Sequence, residues 1–329
     1  MALLSDLLLE WYQKNGRDLP WRVKGGAHFD AYAVWISEVM LQQTTVKTVL
    51  EYFDRWMKRF PTLETLAQSD IQDVLLMWQG LGYYTRAKKI HECAKVLMEK
   101  YDGHFPKNRA ELLKLPGIGP YTASSICALA FNMPETVVDG NVIRVIARLY
   151  GITNEINRED IYRRACALTP QEHGADYASA IMDLGATICT PTSPKCLLCP
   201  WMTECIANQQ GIAEQIPVIK KPTKQKRAGI LYMIQNDANQ YYIQKRAGKG
   251  LLSGLYEFPW HYDNETKFAG KWQETDKTIT HIFTHFHLTL RIVKGHSNTL
   301  LNSTGAFVHA DELKNYPFPT LMKKVIKGL

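Results

Sequence analysis

Two carboxylates lie in sequence surroundings that would give them different protonation states. Glu38 is the lone charged residue of the apolar stretch 31–41, which has the pattern of a buried helix. Burial raises a carboxyl pKa, so Glu38 is predicted to donate a proton near neutral pH; a solvated or structurally paired glutamate is the alternative. Asp139 precedes a predicted helix over residues 142–150, which it could cap while remaining ionised. A protonated carboxyl paired with an ionised one is the usual arrangement for cleaving a glycosidic bond.

Four of the seven cysteines are close together in the sequence. They are Cys189, Cys196, Cys199 and Cys205, with the spacing C-x6-C-x2-C-x5-C. Thiolates are soft ligands, and four in one short segment can surround a metal centre at little cost in loop entropy. Zinc sites usually pair two short cysteine knuckles, whereas this segment has one, so the spacing favours an iron–sulfur cluster over zinc or free thiols. The other three cysteines are expected to be buried in the core.

A glycine-rich turn over residues 115–123 (L-P-G-I-G-P-Y-T-A) joins two predicted helices. Gly117 and Gly119 allow backbone angles closed to other residues and expose their N–H groups. The helix that starts near Tyr121 adds its N-terminal dipole, so the turn could bind a phosphate. The alternative is a tight turn that only packs two helices together.

Length and patterning predict an all-α domain followed by a smaller α+β domain, because 329 residues exceed one typical domain. Helical spacing continues to about residue 213, and short β-rich runs follow residue 228. Residues 214–227 form a basic linker, which either contacts phosphate or is a flexible tether.

The net charge of +7 favours an anionic partner such as nucleic acid. No apolar run approaches the roughly 18 residues of a membrane span, and charged residues interrupt the N-terminal helix over residues 1–14. We therefore expect a soluble, intracellular protein without a membrane partner.

Several motifs together resemble the DNA glycosylases of the helix-hairpin-helix (endonuclease III) superfamily, and within it the MutY-type adenine DNA glycosylases. The motifs are the turn, the cysteine set, S-E-V-M-L-Q-Q-T (37–44), G-L-G-Y-Y (80–84), V-D-G-N (138–141) and M-D-L-G-A (182–186). The resemblance covers nearly the whole chain, and it implies a cytoplasmic, nucleoid-associated bacterial protein.

The resemblance implies a helix-hairpin-helix glycosylase domain over residues 1–213 and a Nudix-like domain over residues 228–329. The hairpin would be 115–123, and the loop 189–205 would hold a [4Fe–4S] cluster that is structural and presents Lys195 to DNA. The Nudix-like domain would recognise 8-oxoguanine. It lacks the glutamate-rich helix of Nudix hydrolases, so hydrolysis of free nucleotides is not expected.

The implied reaction is hydrolysis of the glycosidic bond of adenine mispaired with 8-oxoguanine or guanine in duplex DNA, after the adenine is flipped out. Glu38 would protonate a ring nitrogen of adenine, and Asp139 would stabilise the sugar cation, with Tyr121 and Asn141 nearby. The remaining implied sites are an adenine pocket with Trp21, Arg22 and Asp183, DNA contacts at Gly117, Gly119, Gln43, Thr44, Leu81 and Tyr83, and 8-oxoguanine contacts at Phe283, Thr284 and His285.

Two positions separate this chain from relatives. Relatives that also cut the strand have a lysine where this chain has Tyr121, so a monofunctional glycosylase is expected. The 8-oxoguanine loop usually has serine where this chain has Thr284, which keeps the hydroxyl and adds a methyl group.

The alternative functions are an endonuclease III-like glycosylase with lyase activity and a non-catalytic lesion-binding protein. The protein is expected to be a monomer, and no motif identifies a protein partner.

Overall fold

The computed structural model describes residues 3–22, 30–218, 223–248, 250–262 and 271–328. The chain divides into two compact units. The helical unit comprises Met1–Gln68 and Lys89–Lys220, and the sheet unit comprises Ser69–Lys88 and Lys221–Leu329.

The helical unit has no strand among its described residues, which confirms the all-α prediction for this part of the chain. The α-helices up to residue 209 are α1 (Leu4–Asn15), α2 (Ala31–Leu41), α3 (Val46–Arg59), α4 (Leu63–Gln68), α5 (Ile71–Met77), α6 (Thr85–Lys100), α7 (Arg109–Leu112), α8 (Pro120–Phe131), α9 (Gly140–Leu149), α10 (Arg158–Leu168), α11 (Gly174–Asp183) and α12 (Ile206–Gln209). Of these, α5 belongs to the sheet unit, and α6 begins in the sheet unit and continues into the helical unit.

The helices α2, α8 and α11 form the centre of the helical unit. Nearly every residue of α2 and α8 is buried, as expected for helices that are apolar on all sides. α8 packs against both α2 and α11, and α1 packs against the other side of α11. Glu38 on α2 and Asp183 at the end of α11 are therefore carboxylates held inside an apolar core.

The sheet unit contains a mixed sheet covered on one face by a helix, which confirms the α+β prediction. The strands are β1 (Gln225–Gln235), β2 (Tyr241–Lys245), β3 (Tyr256–Glu257), β4 (Trp260–His261), β5 (Gln273–Ile282), β6 (Phe286–His296) and β7 (Gly305–Val308), and the covering helix is α13 (Thr320–Ile326). The order is β3-β2-β1-β6-β5, with β4 paired to β1 and β7 paired to β2. Only β1 and β6 are parallel among the described pairs. Leu290 and Ile292 of β6 pack with Leu321 of α13 in the core.

The segment Ser69–Lys88 groups with the sheet although it is far from it in sequence. The Gln79 side-chain amide donates to the carbonyl of Phe318 at 2.9 Å, and Lys88 Nζ donates to the carbonyl of Ser253 at 2.6 Å. These bonds, made by residues on either side of the G-L-G-Y-Y motif (80–84), join it to the unit that contains the predicted 8-oxoguanine loop.

The cysteines outside the loop 189–205 differ in their exposure. Cys93 and Cys127 are buried, as expected, but Cys166 is exposed. The expectation for Cys166 is wrong because α10 is a surface helix whose buried positions, Ile161 and Ala165, lie on its other face. No helix in the described part of the chain is long and apolar enough to cross a membrane.

Candidate active site and its surroundings

A cavity of about 780 Å³ opens in the helical unit. It brings together residues from distant motifs of the sequence. The predicted site residues that line it are Arg22, Glu38, Gln43, Thr44, Tyr121, Asp139 and Asn141. Trp21 and Asp183 are buried and do not line it, and Leu81, Tyr83, Phe283, Thr284 and His285 belong to the sheet unit.

Glu38 is placed in the cavity by the buried helix α2 and is only 3% exposed. The Tyr121 hydroxyl donates to its Oε2 at 2.8 Å. Burial raises the pKa of Glu38, and the charge of Asp139 adds to the increase, whereas Tyr121 and Arg22 oppose it. Burial also raises the pKa of Tyr121 well above its ordinary value, so the phenol stays a neutral donor. These surroundings favour the protonated form of Glu38 more than water would.

Asp139 is the N-cap of α9 and lines the same cavity. Its Oδ1 accepts a hydrogen bond from the backbone N–H of Val142 at 2.7 Å, and its Oδ2 accepts one from the Asn141 amide at 2.9 Å. Both partners donate to the side-chain oxygens, as is usual for an N-cap residue. Capping does not remove Asp139 from the cavity, so the cap and the chemical role are compatible in this geometry.

Asp183 forms ion pairs with two arginines that line the cavity. It is fully buried, and it accepts hydrogen bonds from Arg17 Nη2 and Arg22 Nη1, both at 2.6 Å. Burial alone would raise the pKa of Asp183, but Arg22 and Arg17 outweigh it and lower the pKa. The Asp183 carboxylate therefore fixes the positions of both arginines where they line the cavity.

Arg17 is a site residue that the sequence analysis missed. The segment G-R-D-L-P-W-R (16–22) contains a second arginine five residues before Arg22, and this duplication was the available signal. Trp21, between them in sequence, is buried and packs edge-on against Phe53 with ring centres 5.1 Å apart.

The hairpin 115–123 presents the N-terminus of α8. Gly117 has φ of 78°, and a Cβ there would lie 2.6 Å from the Cβ of Lys89, so only glycine fits. Gly119 is the N-cap of α8, and Pro120 occupies the first helical turn. A Cβ at Gly119 would meet no atom within 4 Å, so the space beside these backbone N–H groups is open to an anion.

The other four positions predicted to contact DNA lie at two turns, each with one residue in the left-handed region. Gln43, with φ of 60°, follows α2 beside the cavity, and Thr44 comes next to it. Tyr83, with φ of 45°, is 47% exposed in the sheet unit, whereas Leu81 is buried. Left-handed backbone at a bulky residue is uncommon and often marks a functional position.

Tyr83 lies against the predicted 8-oxoguanine loop. Its hydroxyl is hydrogen-bonded to the Thr284 hydroxyl, 201 residues away in the sequence. The turn is held by the Trp78 indole N–H, which donates to the carbonyl of Gly82 at 3.0 Å. Phe283 stacks on Phe286 with ring centres 4.7 Å apart, which leaves Thr284 exposed at the end of the loop. His285 is exposed as well.

Two of the four cysteines of the loop 189–205 form hydrogen bonds with a buried arginine. Arg148 of α9 is 2% exposed, and its Nη1 donates to Cys189 Sγ at 3.3 Å and to the carbonyl of Thr190 at 2.8 Å. The Cys205 thiol donates to the backbone carbonyl of Arg148 at 3.3 Å. Burial raises the pKa of Cys199 to about 12, and the charges of Cys189, Cys205 and Cys196 add to the increase.

Four cysteine thiols are the donor type that iron–sulfur clusters use. Among the described residues, no group of three His, Cys, Asp or Glu side chains is arranged to hold a single metal ion. In a four-iron cluster each thiolate binds its own iron, so the sulfurs are spread over a larger centre than around one ion. The guanidinium beside Cys189 would stabilise the negative charge of such a centre.

Arg144 is a second arginine of α9 that the sequence analysis missed. It donates to the Asn141 side-chain oxygen at 2.9 Å and to the backbone carbonyl of Cys189 at 2.7 Å. It thereby connects the residue beside Asp139 with the first cysteine of the loop. The i, i+4 spacing of Arg144 and Arg148 was the only sequence signal, and it is equally typical of an exposed helix face.

Comparisons with known proteins agree with this geometry. Residues 36–171 match the model of the HhH-GPD superfamily base excision DNA repair proteins, and residues 230–328 match the NUDIX domain. The chain is 37% identical over 312 residues to the adenine DNA glycosylase of Buchnera aphidicola subsp. Schizaphis graminum, a match that covers 88% of this chain and 86% of the relative. It is 31% identical to the human adenine DNA glycosylase over 97% of this chain and 72% of the relative.

Two solved structures show the same helical fold. A thermostable thymine-DNA glycosylase matches with a TM-score of 0.57 and 29% identity, over 63% of this chain and 95% of its own length. A non-covalent endonuclease III–DNA complex matches with a TM-score of 0.54 and 23% identity, over 64% of this chain and 99% of its own length. The sequence matches, the paired domains and the fold lead to one conclusion: the chain belongs to the adenine DNA glycosylase family, within the HhH-GPD superfamily.

Proposed function

We propose that this protein hydrolyses the glycosidic bond of adenine mispaired with 8-oxoguanine or guanine in duplex DNA, and that it does not cut the strand. The observation that carries the proposal is the buried Glu38, bonded to the Tyr121 hydroxyl in the same cavity as Asp139. This is the combination of a proton donor and a carboxylate that glycosidic cleavage requires.

In the proposed reaction the flipped adenine enters the cavity of the helical unit. Glu38 transfers its proton to a ring nitrogen, so the electrons of the C1′–N9 bond can leave with the base as neutral adenine. Asp139 stabilises the positive charge that develops on the sugar. Water then adds to C1′, and the proton that it loses returns to the Glu38 carboxylate. The Tyr121 hydroxyl keeps the Glu38 carboxyl pointed into the cavity.

Restriction to base removal is supported by the lining of the cavity. Strand cleavage requires an amine that attacks the sugar to form a Schiff base. Of the described residues, those that line the cavity include Arg17, Arg22 and Arg158 but no lysine. Arginine does not lose its proton at neutral pH, so it is a poor nucleophile.

The test of the proposed function is a single-turnover assay on duplexes with adenine opposite 8-oxoguanine, guanine or thymine. We expect excision opposite the first two bases, with strand breaks only after hot alkali and no adduct trapped by borohydride. Breaks without alkali and a trapped adduct would indicate a glycosylase with lyase activity. Tight binding without excision would indicate a lesion-binding protein.

We assign the 8-oxoguanine contact to Thr284 with Tyr83 beside it. Thr284→Val removes the hydroxyl at nearly constant volume, so we expect the preference for 8-oxoguanine over guanine to fall about 3- to 10-fold, as for one lost hydrogen bond. Thr284→Ser keeps the hydroxyl and is the matched control. The measurement is the ratio of excision rates for the two mispairs, and an unchanged ratio in Thr284→Val would rule out this assignment.

We assign a [4Fe–4S] cluster to Cys189, Cys196, Cys199 and Cys205. When bound, the cluster would hold the loop 189–205 in one conformation and supply no step of the hydrolysis. Cys199→Ser is expected to lower the iron content from about four atoms per chain and to reduce the thermal stability, because binding of the centre is coupled to folding. Cys166→Ser, at the exposed cysteine, should keep the iron. Full iron content in purified Cys199→Ser would contradict the ligand assignment.

A further inference from the structure

The basic residues before the sheet have no role in the chemistry proposed above. The sequence left residues 214–227 open as a tether or a phosphate contact. In the structure the end of this segment is part of the fold, because β1 begins at Gln225. Lys226 pairs directly with His287 of the parallel strand β6. Pairing in the sheet therefore fixes the backbone of the basic segment from Gln225 onward.

Lys226 lies on an exposed row that crosses three strands. His287 is its neighbour on β6, and Ile282 of β5 is the next residue in the same row. All three side chains are exposed. In antiparallel and parallel sheets, residues in register point to the same face, so these groups form one continuous surface.

The surface is cationic without neutralising acids. Residues 223–228 and 279–290 contain no Asp or Glu. Within the part of the chain that the structure describes, Lys224 and Lys226 form no ion pair. Arg227 is different, because its guanidinium lies over the Phe286 ring at 4.4 Å and over the Tyr262 ring at 5.5 Å. Lys226 thus keeps an exposed charge that the fold itself does not use.

The surface is continuous with the loop that we assign to 8-oxoguanine. Lys224 Nζ donates to the backbone carbonyl of Phe283 at 3.1 Å, and the backbone N–H of Gln225 donates to the carbonyl of His285 at 3.4 Å. A strand of DNA that places its base against Thr284 must pass its backbone along the residues beside this loop. Contacts to phosphate fix the register of a protein on DNA, and contacts to bases read the sequence.

We infer that the face formed by Lys224, Lys226 and His287, the backbone-binding face, holds the phosphodiester backbone of the DNA strand that carries 8-oxoguanine. The inference rests on the proposed function for the identity of the base in that strand. It assigns the basic segment to lesion-strand binding, where it adds affinity that does not depend on the base.

The test measures the salt dependence of binding by the full-length protein. The probe is a duplex with adenine opposite 8-oxoguanine, in which a 2′-fluoro group on the adenosine prevents cleavage by destabilising the sugar cation. Lys226→Ala should reduce the slope of log Kd against log salt concentration by about 0.9, the value for one lost phosphate contact. Affinity for the guanine mispair should fall by the same factor, because the contact does not read the base.

The matched control is Lys314→Ala, which removes an exposed lysine elsewhere in the sheet unit. Its slope of log Kd against log salt concentration should equal that of the wild-type protein. Lys226 is preferred to Lys224 for the test, because Lys224 also holds the Phe283 carbonyl and its loss could move the loop. A slope for Lys226→Ala equal to that of Lys314→Ala would overturn the inference.

A second arm identifies the strand. One neutral methylphosphonate linkage beside 8-oxoguanine should weaken binding of the wild type but not of Lys226→Ala, which has already lost the contact. The same linkage in the adenine strand should weaken both proteins equally. The opposite pattern would place the contact on the adenine strand and overturn the inference. Excision of adenine by the wild-type protein is measured separately. If the Lys226→Ala slope does not change, the proposed function still stands as long as the wild type excises adenine. If the wild type does not excise adenine, the binding slopes still test the contact to phosphate.

Discussion

Glu38→Gln is expected to lower the single-turnover rate of adenine excision by about 10²- to 10⁴-fold, the usual contribution of general acid catalysis. The amide has nearly the same shape as the carboxyl group, and its oxygen can still accept the hydrogen bond from Tyr121. It cannot transfer a proton to the base. We therefore expect the fold and the binding of mispaired duplex to be retained while cleavage is lost.

The control for this prediction is Glu10→Gln, which changes an exposed glutamate on α1. Its excision rate and its melting temperature should match those of the wild type. Rates from single-turnover kinetics and affinities from fluorescence anisotropy separate catalysis from binding. A Glu38→Gln protein that excises adenine at the wild-type rate would show that another group supplies the proton.

Asp139→Asn is expected to lower the excision rate by about 10²- to 10³-fold, as for other groups that stabilise charge in a transition state. Asparagine is as good an N-cap as aspartate, so the backbone N–H of Val142 keeps an acceptor and the free energy of unfolding should change little. The substitution removes the negative charge that would face the sugar cation. The excision rate of Asp139→Asn is therefore expected to fall while its free energy of unfolding stays close to that of the wild type.

Two further variants separate the cap from the chemistry. Asp139→Ala should lose the rate and also about 1 kcal/mol of stability, because alanine caps poorly. Asp70→Asn changes another N-cap aspartate, on α5, and should leave excision unchanged. If Asp139→Asn kept the rate while Asp139→Ala lost stability, Asp139 would be a cap and nothing more.

The parts of the site that sequence predicted are those with a local signal. The apolar surroundings of Glu38 and the position of Asp139 before a helix are visible in short windows of sequence, and the structure has α2 and α9 at those places. Helical spacing and β-rich runs likewise predicted the fold class of each part of the chain. Such features depend on neighbours in sequence, which one chain is enough to show.

The parts that sequence did not predict depend on contacts between distant residues. Asp183 meets Arg17 across 166 residues, and Tyr83 meets Thr284 across 201. The start of β1 at Gln225 depends on its pairing with β6 and not on the β-propensity of a lysine-rich segment. Periodicity contains no information on these partners, so the buried ion pairs and the grouping of Ser69–Lys88 with the sheet emerge only from the folded chain.

The most direct test of the central claim, that a buried protonated Glu38 starts the reaction, is the pH dependence of the single-turnover excision rate between about pH 5 and pH 9. Burial raises the Glu38 pKa, and the protonated form is the active one, so the rate should be highest below that pKa and fall as the pH rises through it. The residual rate of Glu38→Gln should not show this fall. A wild-type rate that stays level or increases across the alkaline range would contradict the assignment of Glu38 as the proton donor.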